Sequence, residues 1–261
     1  MKPLPLLLLI MCSPWAGRAD VPAAANALSP RATPVSDAEE EYQRGVRFAK
    51  GDGVPQDYAA AARCYRSAAE KGHSAAQYDL AYLYESGMGV ERNTKLAAVW
   101  YRKAALKGDA EAQNNLGVLY SKGDGVSRNA SAAVYWFRLA AEQDDPEGAC
   151  NLGTMYLEGR GVKRNLAHAF ELFAKAAEQG YPVAQHNLAL MYANGDAGRR
   201  DFVWAYAWME LAAEGLASSA SLRDRLGAEM TADQISRARD LAGRKREDLA
   251  RKAAITRGHN R

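Results

Sequence analysis

Cysteine is scarce in this chain. There are three in 261 residues, at positions 12, 64 and 150, which excludes a disulfide-dense scaffold and any site built from four thiolates. The four histidines, His73, His168, His186 and His259, stand in no metal-ligand spacing. Charge of one sign is missing too: 34 basic against 31 acidic residues leave a formal +3, too little to argue for a nucleic-acid partner. No GxSxG, SxxK, HExxH, phosphate-loop, dinucleotide-binding glycine or EF-hand pattern occurs. The expectation is a chain with no catalytic residues, no metal and no cofactor, and so not an enzyme. What is present is ordinary in bulk: 48% hydrophobic and 25% charged residues exclude whole-chain disorder and collagen-like structure.

Apolar runs are nearly absent as well, with one exception. Leu6–Met11 follows the basic start Met1-Lys2, and Gly17-Arg18-Ala19 places small residues before Asp20. The run is too short to cross a hydrocarbon core, which takes roughly twenty apolar residues. It fits a secretory signal over residues 1–19, cleaved near Ala19, and predicts a periplasmic or secreted protein with no stable membrane insertion after cleavage. Loss of Lys2 and Arg18 leaves a net of +1. Residues 20–37 hold three prolines, many alanines and no apolar periodicity, the composition of a flexible linker.

Order says more than composition. Gly51-Asp52-Gly53-Val54, Gly87-Met88-Gly89-Val90, Gly123-Asp124-Gly125-Val126 and Gly159-Arg160-Gly161-Val162 stand 36 residues apart, and Gly195 continues the series. An aromatic precedes each first glycine by three (Phe48, Tyr84, Tyr120, Tyr156, Tyr192) and a small residue by six (Gly45, Ala81, Gly117, Gly153, Ala189). Thirteen residues after it come Cys64, Trp100, Trp136, Leu172 and Trp208. Leu116, Leu119 and Tyr120 share one helical face, as do Ala133, Trp136, Phe137, Ala140 and Ala141. Each unit therefore reads as two helices, the first ended by the GxGV glycine and the second by Gly72, Gly108 or Gly180. One pair cannot bury its own apolar face, whereas stacked pairs can, so the predicted fold is an all-α, right-handed α-solenoid. The repeats are placed at 38–73, 74–109, 110–145, 146–181 and 182–216. Residues 217–261 are expected to form a C-terminal helical cap and basic tail, with Thr231-Ala232-Asp233-Gln234 as a capping box.

At these residues the sequence resembles the Sel-1-like repeat family, relatives of tetratricopeptide repeats. Ala112, Leu116, Gly117, Tyr120, Gly123, Gly125 and Val126 match the first part of its pattern, and Ala98, Trp100, Tyr101, Lys103, Ala104, Ala105 and Gly108 the second. Repeat one departs with Arg44 and Cys64, and repeat five lacks the GxGV loop. The resemblance implies a protein–protein interaction module, a scaffold or adaptor in the cell envelope. It also brings an alternative, because cysteine-rich relatives have been linked to β-lactam binding or hydrolysis: an envelope hydrolase or β-lactam-binding protein. Those relatives carry a disulfide in each repeat. Cys64 and Cys150, three repeats apart, are too distant to bridge each other.

The resemblance also implies where a partner sits. In helix-pair solenoids the first helices line the concave face, and the residue before the leucine of Leu-Gly points into it. Those residues here are Gln43, Asp79, Asn115, Asn151 and Asn187. An amide offers an acceptor and two donor hydrogens, which suits pairing with a peptide backbone. Tyr78, Asn114 and His186 lie one position earlier and Tyr82 one turn later. These nine residues are the candidate peptide-binding groove for a protein or peptide partner. The column admits a second role, bonding one repeat to the next. Residues 242–261 carry a net +5, so the tail can contact anionic surfaces or end as a solvated helix.

Overall fold

The computed structural model describes residues 36–196, 198 and 200–259. The expected signal over residues 1–19 lies outside them. So does the linker, except its last two residues: Ser36 caps the first helix and Asp37 begins it.

Twelve helices and no strand occupy the described residues: α1 (Asp37–Lys50), α2 (Tyr58–Glu70), α3 (Ser74–Ser86), α4 (Thr94–Ala105), α5 (Ala110–Lys122), α6 (Ala130–Glu142), α7 (Pro146–Glu158), α8 (Leu166–Ala177), α9 (Pro182–Asn194), α10 (Phe202–Gly215), α11 (Ser218–Gly227) and α12 (Ala232–His259). The 36-residue sequence period is a structural period. Every second helix opens on Asp57, Asn93, Asn129, Asn165 or Asp201, whose side-chain oxygen accepts a backbone N–H of the first turn. Every first helix closes on Gly51, Gly87, Gly123, Gly159 or Gly195 in the left-handed conformation.

The second glycine of GxGV serves a different end. A Cβ on Gly125 would lie 2.2 Å from the carbonyl oxygen of Thr94, and one on Gly89 would lie 2.3 Å from the carbonyl carbon of Tyr58. Each loop thus rests on the first turn of the preceding repeat's second helix, at a distance no side chain permits. Within a repeat the small residue of the first helix meets a ring of the second. A Cβ on Gly45 or Gly117 would fall 2.6 or 2.7 Å from Tyr65 or Phe137, rings that are themselves fully buried.

The helices divide between two compact units, α1–α6 and α7–α12. In the first, Tyr65, Leu80, Leu83, Tyr101, Leu116, Leu119 and Trp136 belong to one continuous core. In the second, Leu152, Met155, Phe173, Leu188, Met191 and Met209 are buried, and α11 and α12 both pack on α10. Helix α9 buries every residue from Val183 to Met191, since α8 and α10 flank it. The closing segment bears the anticipated capping box: Gln234 N donates to Thr231 Oγ1 at 3.3 Å, and Thr231 N donates to Gln234 Oε1 at 2.9 Å. Ala238 and Ala242, one turn apart on α12, are fully buried.

Candidate partner-binding groove

Each column residue sits mid-way along a first helix, two positions before the small residue (Gly45, Ala81, Gly117, Gly153 or Ala189) and ahead of the glycine cap. In the α1–α6 unit, Gln43 is exposed and its Nε2 donates to Glu39 Oε1 at 2.7 Å within the same helix. Asp79 is buried and accepts from the Tyr42 phenol of the preceding repeat; burial first, and then the charge of Asp79, pushes the Tyr42 pKa far up. Asn115 is buried, bonded to Asn114 Nδ2 at 3.4 Å and to the Tyr101 hydroxyl. Tyr101 donates to Glu85 Oε2 at 2.8 Å, and the Tyr78 ring lies against it with centroids 5.7 Å apart. Tyr82 is half-buried.

In the α7–α12 unit, Asn151 and Asn187 are buried. Asn187 Nδ2 lies 3.8 Å from Cys150 Sγ, which stands one position before Asn151. His186 is buried too, and its Nδ1 shares a 2.9 Å hydrogen bond with Ser219 Oγ. Helix α11 therefore reaches the groove position of repeat five. The residue before the column in one repeat touches the column residue of the next in both units, as Tyr42 with Asp79 and Cys150 with Asn187. A buried amide already bonded in this way engages a ligand by exchanging partners.

His73 and His168 have structural partners. His73 caps α3, its Nδ1 accepting from Ala76 N at 3.1 Å while Nε2 donates to Glu39 Oε2 at 2.8 Å. Tyr42 stacks on it at 4.4 Å. His168 lies edge-on to Tyr156 and 3.3 Å from Glu171. Cys64 is a free, buried thiol. Among the described residues no three of His, Cys, Asp and Glu are grouped to hold a metal. Burial is the first cause of the raised carboxyl pKa values of Glu85 and the α5 cap Asp109.

The basic tail is engaged by the body of its own unit. Lys245 and Lys252 reach Glu178 at 2.8 and 3.3 Å, and Arg246 reaches Glu214 at 2.5 Å. The hydrogen bond from Lys245 chiefly holds the Glu178 carboxyl below the usual range. A cavity of about 300 Å³ lies between Glu178 and the α12 residues Lys245, Leu249 and Lys252. Sequence reasoning did not find the Tyr42–Asp79 pair, although both residues were in its register. Nor did it find Ser219, which no repeat announces.

This geometry can be set beside known proteins. The Sel1 repeat model matches residues 41–73, 74–109, 110–145, 146–181 and 182–215. The chain belongs to the Sel1 repeat family. A Sel1 repeat protein from Oxalobacter formigenes is similar at 30% identity and a TM-score of 0.71, over 79% of this chain and 85% of that one. A protective antigen of uropathogenic Escherichia coli with an SLR fold is similar at 29% identity and TM-score 0.54; the match spans 84% of this chain but 56% of that one. An immunity protein of Pseudomonas aeruginosa, 20% identical with a TM-score of 0.50 over 84% of this chain and 83% of its own, shares the fold. No curated protein matches. Sel1 repeat proteins generally mediate protein–protein interaction and are generally non-enzymatic scaffolds. No helix among the described residues is long and apolar enough to cross a membrane.

Proposed function

We propose that this Sel1 repeat protein is a non-enzymatic scaffold or adaptor of the cell envelope that binds a protein or peptide segment along its first helices. Export through residues 1–19 is part of the reading, and intact-mass analysis of protein from its native host tests it: a mature chain still carrying Leu6–Met11 counts against cleavage. One observation carries the binding reading. Side chains able to pair with a peptide backbone recur in one phase, at Gln43, Asp79 and Asn115 in one unit and at Asn151 and Asn187 in the other. Tyr78, Tyr82, Asn114 and His186 flank them and supply aromatic and polar contacts.

A photo-crosslinker at position 82 or 43, used in the native host, captures the segment that lies there. With the partner in hand, Asn115→Ala and Asn151→Ala separate the column's two roles. A bonded ligand group left without its partner costs ~1–3 kcal/mol, so binding is expected to weaken by about five- to over a hundredfold. Unchanged affinity with a depressed melting temperature assigns the amides to repeat-to-repeat bonding and removes them from the site.

A further inference from the structure

Helix α4 differs from the other second helices in what it leaves outside. Leu96, Val99 and Leu106 are 39%, 50% and 73% exposed. Their spacing keeps them on one face along ~15 Å of helix. Lys103 lies on the same stripe with its Nζ 3.7 Å from the centroid of the Trp100 ring. By helical phase, Lys95 and Arg102 flank the stripe on one side and Lys107 on the other. From Thr94 to Lys107 the chain holds these four cations and no acid. Arg102 donates to the Tyr120 hydroxyl at 2.6 Å and Lys107 to the carbonyl of Gly72, so neither is spent on a carboxylate. The α12 cations are the contrast, since Lys245, Arg246 and Lys252 already meet Glu178 and Glu214. One repeat on, Tyr135 takes the place of Val99 and is 54% exposed, with Arg138 in the place of Arg102.

We infer that the outer face of α4 is a peripheral docking surface for an anionic lipid membrane. Uncompensated charge of one sign selects an anionic occupant. The placement of that charge selects lipid: cations flanking an apolar stripe on an exposed ridge match headgroups lying just above hydrocarbon. Lysine stems lie along apolar surface and let their ammonium groups reach that level, and Lys103 keeps its charge beside the stripe on the Trp100 ring face. Leu96, Val99 and Leu106 then enter the headgroup–acyl boundary, with an aromatic, Tyr135, at the depth aromatic rings favour. A folded acidic partner requires a groove with carboxylates on both walls to receive such a ridge, whereas a fluid surface forms one around it. The site is separate from the first-helix groove, so a partner can be held while the scaffold is on the membrane.

Co-sedimentation of the full chain with vesicles tests this, comparing phosphatidylcholine alone with phosphatidylcholine containing phosphatidylglycerol. Binding to the anionic vesicles is expected to exceed binding to neutral ones at least about tenfold at low salt and to collapse at high salt. Lys95→Gln/Lys103→Gln/Lys107→Gln should cut it by about tenfold or more. Val99→Ser/Leu106→Ser should cut it severalfold with charge unchanged. All variants retain the apolar run of residues 6–11, so the differences report α4. Three results overturn the inference: no preference for anionic vesicles; a loss confined to Lys245→Gln/Arg246→Gln/Lys252→Gln; or a dimer in light scattering that Leu106→Ser dissociates, which assigns the face to a second copy.

Discussion

Asp144 is the one non-glycine residue with positive φ among the described residues, at 63°. It stands where Gly72, Gly108 and Gly180 stand in the other repeats, all of them left-handed. The left-handed conformation costs an L-residue ~1 kcal/mol, less for Asp than for a residue without a short polar side chain. An exposed ion pair with Lys175, 2.7 Å long, offsets a fraction of that. Asp144→Gly is therefore expected to raise stability by about 0.5 kcal/mol, and Asp144→Ala to lower it by about 1 kcal/mol. Thermal melts of the two variants should move in opposite directions. Glu85 gives a second test at this scale. Burial raises its pKa above the ordinary 4.5, against the Tyr101 hydroxyl and Lys122, which lower it. A carboxyl raised on folding holds its proton more tightly in the native state, so stability is fullest below the ordinary value and falls as pH climbs through the folded one. Glu85→Gln keeps an acceptor for Tyr101 and removes the charge. Its melting temperature should exceed that of the wild type at pH 7, with the gain vanishing near pH 4; a gain that is the same at both values rules out desolvation of Glu85 as its source.

At the scale of the helix pair, two glycines with the same backbone hand carry different loads. Gly125 and Gly108 both have positive φ, 70° and 90°. A Cβ on Gly125 strikes the Thr94 carbonyl at 2.2 Å, whereas one on Gly108 meets nothing within 4 Å. Gly108→Ala should cost only the backbone term, ~1–2 kcal/mol. Gly125→Ala adds the displacement of α4 from the loop, another ~1–3 kcal/mol, and chemical denaturation should separate the two by that margin. The register, the helix pairs and their glycine ends were legible because a glycine that alone tolerates the turn recurs at each first-helix end; the Asp or Asn that caps each second helix recurs in the same register but emerged only with the structure. Two further kinds of feature were not legible. Asp144 departs from the glycine series without a signal for the conformation it keeps. The candidate groove was legible only as a phase: periodicity put Asn115 and Asn187 in one column, but Tyr101 and Cys150, which meet them, come from a neighbouring helix or repeat. His186 is met by Ser219, from a segment with no periodicity at all.

Within each unit packing runs chiefly between sequence neighbours, α1 with α2 through α5 with α6 in one and α7 with α8 through α10 with α11 in the other, where α12 also packs on α10. A stack of this kind has stability that is nearly a sum of local terms, and an exposed end face that must be covered. Helix α12 covers the end of the α7–α12 unit. It buries Ala238 and Ala242 completely and Leu241 in part, lays Lys245 over the Trp208 ring at 5.4 Å, and ties Arg246 to Glu214 of α10. Ending the chain at Met230 would expose the α10 face that these residues cover. The apolar area lost from Ile235, Ala238, Leu241, Ala242 and Leu249 is expected to cost about 3–5 kcal/mol. The loss should be graded rather than uniform. Amide hydrogen exchange should show protection falling most in α10, less in α9 and least in α7, because each helix hands its stability on only through its neighbour. The open face should also make the shortened protein self-associate more than the full chain in sedimentation analysis. Equal loss of protection in α7 and α10 would mean that the unit unfolds all at once and that α12 is part of a single cooperative core rather than a cap.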